Sequence, residues 1–225
     1  MSFQSPFFLF AFLPATLIAW LIPQKKIRMA YLALLSCIFY LSSADTMFFF
    51  MVLIISANYL CARSFSSFSD KASAARKRLL IAAISGNVLI LIGWRYGDWL
   101  CQIAGSLGLR GCKALHLPQP LGISFIVFML LAYLIDVYRC VIPAEKNIGC
   151  FGFFSLMFAK VVAGPIEHYQ PFQHALAQGA FNLDDLYAGI RRFIIGLAKK
   201  VMIADALAKT THAVFATPGR STPCP

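Results

Sequence analysis

Four histidines, His116, His168, His174 and His212, are the side chains of this sequence that can exchange a proton near neutral pH. His116, His174 and His212 sit in polar stretches with no acidic or nucleophilic neighbour at a useful spacing. His168 follows Gly164-Pro165 and adjoins Glu167, which makes it the one candidate for a catalytic base, although neighbouring residues on a helix point in different directions and Glu167 is not its partner by position. Asp136 and Arg139 stand three residues apart, close enough to pair on one helix face. The seven cysteines form no Cys-x-x-Cys pair. Cys37 and Cys61 lie in apolar runs, Cys140 and Cys150 flank a short loop, and Cys101 and Cys112 share a loop in which a disulfide is open. A Gly-rich phosphate loop, a metal-ligand cluster and a Gly-x-Ser-x-Gly elbow are all absent from the sequence, so no metal site is expected.

The elements that must position these groups are membrane helices. Hydrophobic residues make up 60% of the chain and charged ones 13%, against about a quarter charged in soluble domains, and mean hydropathy is +0.73. Apolar runs at 6–22, 29–41, 46–62, 79–94 and 121–137 predict five spans; the second is short unless Arg28 snorkels. Asn58 and Asn87 lie inside the third and fourth, where an unpaired amide costs free energy, so both are expected to face protein. A sixth run, 148–162, is interrupted by Lys160 and bounded by glycines and Ala163-Gly164-Pro165, which allow it either to cross or to dip in and return.

The net charge of +11 is placed as a membrane protein places it. Lys25, Lys26 and Arg28 fall between the first and second runs, and Arg63, Lys71, Arg76, Lys77 and Arg78 between the third and fourth, in alternate loops. The positive-inside rule puts those loops in the cytoplasm and the N-terminus outside, which accounts for the basic balance without nucleic acid. The stretch 64–78 reads as a cytoplasmic loop with some helical tendency, and 100–120 as a partly ordered outer loop. Between 186 and 207, Leu186, Ile190, Phe193, Ile194, Leu197, Val201 and Ala204 recur at helical spacing; Arg191, Arg192, Lys199 and Lys200 make the polar side basic, as in a helix lying at the headgroup surface. The expected fold is all-α: a polytopic membrane protein of about five to seven transmembrane or re-entrant helices plus one amphipathic interfacial helix.

Several segments carry a family resemblance. Phe12-Leu13-Pro14 interrupts the first span, and 87–96 reads Asn-Val-Leu-Ile-Leu-Ile-Gly-Trp-Arg-Tyr. More specific are Pro120-Leu121-Gly122-Ile123-Ser124-Phe125 with 133–139 (Tyr-Leu-Ile-Asp-Val-Tyr-Arg), then Ala163-Gly164-Pro165-Ile166, then 192–205 with its Lys199-Lys200-Val201. Their wording and order resemble the membrane-bound O-acyltransferases, in the branch that acetylates alginate and related exopolysaccharides. The resemblance implies a multi-pass protein of the bacterial inner membrane that takes acetyl groups from a cytoplasmic donor such as acetyl-CoA, binds no cofactor tightly, and works with periplasmic polysaccharide-acetylation proteins. It also implies a basic residue at the place of His168.

The family's hallmark histidine lies in a later apolar helix, after paired tryptophans and an Arg-Arg pair, none of which follows Leu207 here. The resemblance therefore implies that 1–216 is the N-terminal portion of an acyltransferase domain, inactive alone, with 217–225 a disordered or frame-shifted tail. A non-catalytic membrane scaffold or a transporter subunit is the competing reading; it predicts charged relays inside several spans, where the sequence offers Lys160 and the interfacial Asp136.

Overall fold

The computed structural model describes residues 3–44, 47–66, 68, 73–107, 118, 120–161, 164, 166–178 and 182–215. Among them every regular element is helical. They divide into two units, Met1–Gly179 and Ala180–Pro225.

In the first unit, α1 (Phe8–Leu21) opens with a π-turn over Phe8–Phe12 and carries Pro14 in the first turn of its α-helical part, where a missing N–H costs least. Helix α2 (Lys25–Ala44) starts well before the expected 29–41 and takes Lys25, Lys26 and Arg28 into its first turn. Arg28 therefore does not snorkel. It is buried, with its guanidinium 4.8 Å from the Trp20 ring and an N–H donated to Leu176 O at 3.4 Å. Helix α3 is Met47–Phe65, and α4 runs unbroken through Ala74–Ser106.

Helix α4 extends the fourth expected span at both ends. The helical tendency of 64–78 is realised at 64–65 and 74–78, and the start of the expected outer loop is helical because Gly93 and Gly97 continue the helix rather than end it. At 1.5 Å per residue α4 is about 50 Å long, more than a hydrocarbon core of about 30 Å, so its ends project beyond an apolar middle. Helices α3 and α4 are both long and apolar enough to cross a membrane, while α1 and α5 (Ile123–Tyr138) are shorter apolar helices.

Side-chain contacts fix the directions. Phe50 meets Trp94 at 4.1 Å between ring centroids, Asn58 meets Asn87, and the Phe65 ring lies 5.8 Å from the Arg76 guanidinium, so α3 and α4 are antiparallel. Helix α2 rises from Arg28 to Tyr40, whose O–H donates to Leu121 O at 2.9 Å just before α5 begins its descent. The core gathers on α5, where Ile126, Val127, Leu130 and Leu134 are fully buried.

The sixth run is a broken helix. It forms α6 (Ile148–Leu156) and α7 (Phe158–Val161), separated by Met157, whose ψ of 117° interrupts the hydrogen-bond ladder. Ser36 Oγ on α2 accepts the Phe158 N–H at 3.4 Å, and Phe158 inserts into an aromatic group with Phe8, Phe12 and Phe39. Broken backbone at such a place is tolerated because protein covers it. The chain does not stay at the end that the run reaches. Val161 reaches Gly122 at the start of α5, but His168 is back beside Asp136 near the end of α5, and Tyr169, which opens α8 (Tyr169–Gln178), bonds to Glu145 before α6. The contacts bring the chain back, by His168, to the end of α5 from which α6 sets out.

The second unit contains α9 (Leu183–Lys199), a π-turn over Lys200–Ala204, and α10 (Asp205–Phe215). Asn182 caps α9 by accepting the Asp184 N–H at 3.1 Å, and Asp184 and Asp185 occupy the first turn, where the helix dipole favours them. No residue of α9 is buried.

Candidate functional site

Two glycines of the motif segments lie against the residues of α7, Gly122 from the start of α5 and Gly164 from within the same excursion. Gly122 has a φ of 69°, in the left-handed region that glycine enters without penalty, and a Cβ there would collide with the Val161 carbonyl. At Gly164 a Cβ would lie 2.6 Å from Lys160 Cα, and the Gly164 N–H donates to Lys160 O at 3.0 Å. Both glycines are needed for close backbone approach, at the two sides of α7.

Below them lie three polar ties. Lys160, 7% exposed, extends its Nζ to Glu167 Oε2 at 2.6 Å and lies over the Phe172 and Phe154 rings at 3.9 and 4.8 Å. The ring faces solvate the ammonium that burial strips of water. The Asp136 carboxylate meets His168 Nδ1 at 2.7 Å, so the helix-face pair expected between Asp136 and Arg139 gives way to a tertiary contact. Glu145 Oε2 accepts the Tyr169 O–H at 2.7 Å, its Oε1 accepts the N–H groups of Lys146 and Asn147, each at 2.8 Å, and the Glu145 N–H donates to Tyr133 O–H oxygen at 2.8 Å. Burial, reinforced by the neighbouring Glu145 carboxylate, pushes the Tyr169 phenol above its ordinary range, so it remains a proton donor.

The end of α5 is closed by its own turn and by Arg76, one of the residues of the basic stretch between the third and fourth runs. Cys140 adopts φ 60°; its N–H donates to Val137 O at 3.1 Å and the Val141 N–H to Asp136 O at 2.9 Å, the paired bonds of a Schellman cap. Arg76 on α4, itself buried, then donates to Tyr138 O at 2.7 Å with its guanidinium 4.7 Å from the Tyr138 ring. A cation at a helix C-terminus meets both the spare carbonyls and the negative end of the dipole.

His168 is thus placed chemically but not enclosed: Asp136 fixes one ring nitrogen, and 62% of the side chain is exposed. Such a pair can orient an imidazole, and it can equally act as a tie. His174 is on α8 and exposed, not in a polar connection. His116 and Cys112, the tail 217–225 and the His212 side chain lie outside what the structure describes. Among the described residues no group of His, Cys, Asp or Glu could hold a metal ion. The residues that sequence reasoning missed are Glu145, Tyr133 and Tyr169, ordinary in isolation, and Arg76, hidden in a run of like charges.

The chain is 32% identical over 223 residues to the probable alginate O-acetylase AlgI of Pseudomonas syringae pv. tomato, a match covering 96% of this chain and 42% of that protein. It is 29% identical to the probable alginate O-acetylase AlgI of Pseudomonas aeruginosa, over 96% of this chain and 42% of that protein. Its similarity to a peptidoglycan O-acetyltransferase of Helicobacter pylori is 28%, over 90% of this chain and 44% of that one. No family model matches the chain, and no solved structure matches it. The resemblance to alginate O-acetylases read from the motifs is therefore found along nearly the whole chain, which corresponds to the N-terminal part of these longer proteins and spans less than half their length.

Proposed function

We propose, for a chain that matches the N-terminal part of alginate O-acetylases, that it supplies the membrane-embedded N-terminal half of an O-acetyltransferase acting on an exopolysaccharide such as alginate. The observation that carries this reading is the match over 96% of the chain; within it Gly122 lets Val161 approach the start of α5, and Gly164 packs on Lys160. In this reading α1 to α5 and the hairpin are the five to seven membrane elements, and the bacterial inner membrane is their location. Lys25, Lys26, Arg63, Arg76, Lys77, Arg78 and Arg139 all fall at the end of the first unit where α1, α3 and α5 finish and α2 and α4 begin, which supports a cytoplasmic placement of that end and an outside N-terminus. The acetyl donor, acetyl-CoA or another activated acetyl, approaches from the cytoplasm, and periplasmic polysaccharide-acetylation proteins receive the group. The residues described here act as scaffold, and transfer also needs the family's histidine-bearing helix.

A chimera tests this. The 225 residues replace the matching N-terminal part of the Pseudomonas aeruginosa relative in a strain lacking that protein, and ester-linked acetate on secreted alginate is measured. Acetylation above the deletion background is expected, with none from the 225 residues expressed alone. A chimera that inserts stably but leaves alginate unacetylated, while the same exchange from Pseudomonas putida restores it, overturns the proposal.

A further inference from the structure

Helix α9 shows an apolar stripe to its surroundings. Leu183, Leu186, Ile190, Ile194, Leu197 and Val201 recur at spacings of three and four on one face, yet no residue of the helix is buried: Leu183 is 69% exposed and Ile194 58%. The charges are arranged around that stripe by sign. Asp184 and Asp185 are confined to the first turn, where Asn182 binds both, through the Asp184 N–H and the Asp185 carboxylate. From Leu186 to Ala204 there is no acidic residue, while Arg191, Arg192, Lys199 and Lys200 are all basic. Lys200 Nζ reaches across the π-turn to Asp205 at 3.2 Å. At 100° per residue, Arg191 and Lys200 flank the stripe on opposite sides, and Arg192 and Lys199 lie behind it.

We propose that α9 docks on the surface of a bilayer rich in anionic lipid, with its stripe among the upper acyl chains and Arg191, Arg192 and Lys199 drawn to headgroup phosphates. Charge complementarity selects this occupant. A net basic helix with an uninterrupted apolar face gains from both terms at an anionic interface and from only one at a neutral one. The inference does not depend on acetyl transfer, so its failure and the failure of that reading are separable.

The test uses the full 225-residue chain, freed of its native cysteines, in nanodiscs of phosphatidylcholine alone or of an equal mixture with phosphatidylglycerol. A bimane label at Ile194→Cys is probed with aqueous iodide and with a nitroxide carried on lipid tails. In the mixed discs the label should be shielded from iodide and quenched by nitroxide, and the ratio of nitroxide to iodide quenching should fall by about fivefold or more in phosphatidylcholine, the effect expected of a basic residue near an anionic surface. The variant Arg191→Gln/Arg192→Gln/Lys199→Gln should lose most of that lipid dependence, and a label at Ile54→Cys, buried in α3, should report an unchanged fold. Iodide access that is equal in both lipids overturns the proposal. So does shielding from both quenchers, which would place protein on the stripe.

Discussion

Asn58 on α3 and Asn87 on α4 exchange two hydrogen bonds, at 3.1 and 2.8 Å, each amide acting once as donor and once as acceptor. Each N–H₂ also returns a bond to its own helix, Asn58 to Ile54 O at 2.9 Å and Asn87 to Ala83 O at 2.8 Å. The pair is satisfied internally and fixes the register of two antiparallel membrane helices. Replacing either residue by Leu should lower stability in detergent by about 1–2 kcal/mol, because the surviving amide keeps its cost and loses its partner. The double Leu variant should cost less than the sum, and thermal unfolding of the four proteins in the cycle measures the coupling.

Gly122→Ala and Gly164→Ala should each destabilise the first unit by about 1–3 kcal/mol, the first through φ and contact with Val161, the second through contact with Lys160. Gly152→Ala, on α6 with nothing within 4 Å of its added Cβ, should be neutral or slightly stabilising. Thermal unfolding and limited proteolysis in detergent compare the three.

Arg76→Gln should cost about 1.5–3 kcal/mol, the range for a bond to a charged group, since it removes the cation that meets Tyr138 O and the end of α5. Lys77→Gln, next in sequence but exposed, should change stability little. Hydrogen exchange should locate the Arg76 effect at residues 136–141.

If the Asp136–His168 contact is a tie, His168→Arg should keep stability and His168→Ala should lose no more than about 1 kcal/mol, because the ring is largely exposed. In the chimera described above, His168→Arg should also keep acetyl transfer. Transfer abolished in His168→Arg without loss of folded protein would instead make His168 a catalytic base.

Cysteines introduced at Lys26 and Ser66 should resist an impermeant maleimide added to intact cells, while one at Leu107, beyond the far end of α4 and exposed, should react. Equal labelling of all three would reject the topology.

Much of this was legible where a local rule has no competitor. An amide in an apolar run needs a partner, so Asn58 and Asn87 could be expected to face protein; that they meet each other depends on helix register. Pro120 announces α5, and the breaks around 148–166 leave both crossing and return open. The fourth apolar run stops at Trp94, whereas α4 continues past it because the cost of one or two helical glycines is small beside a long ladder of backbone bonds. Arg76 and Asp136 escaped because their partners, the last carbonyls of α5 and His168, are brought to them by tertiary packing. A pairing rule that looks three or four residues along a helix finds Arg139 and stops.

The meeting of Glu145 with Tyr169 also decides a question of parity. Since the chain leaves the Glu145 end of α5 along α6 and α7 and is back there by His168 and Tyr169, the excursion as a whole would contribute zero to the odd or even tally of crossings. In a bilayer this return would place Gln170 in the same compartment as Lys146, with Glu167 and His168 left untranslocated. Reporter enzymes fused after Lys146 and after Gln170 should give the same signal, and a hydropathy count that awards this run a full crossing would assign every later residue to the wrong side.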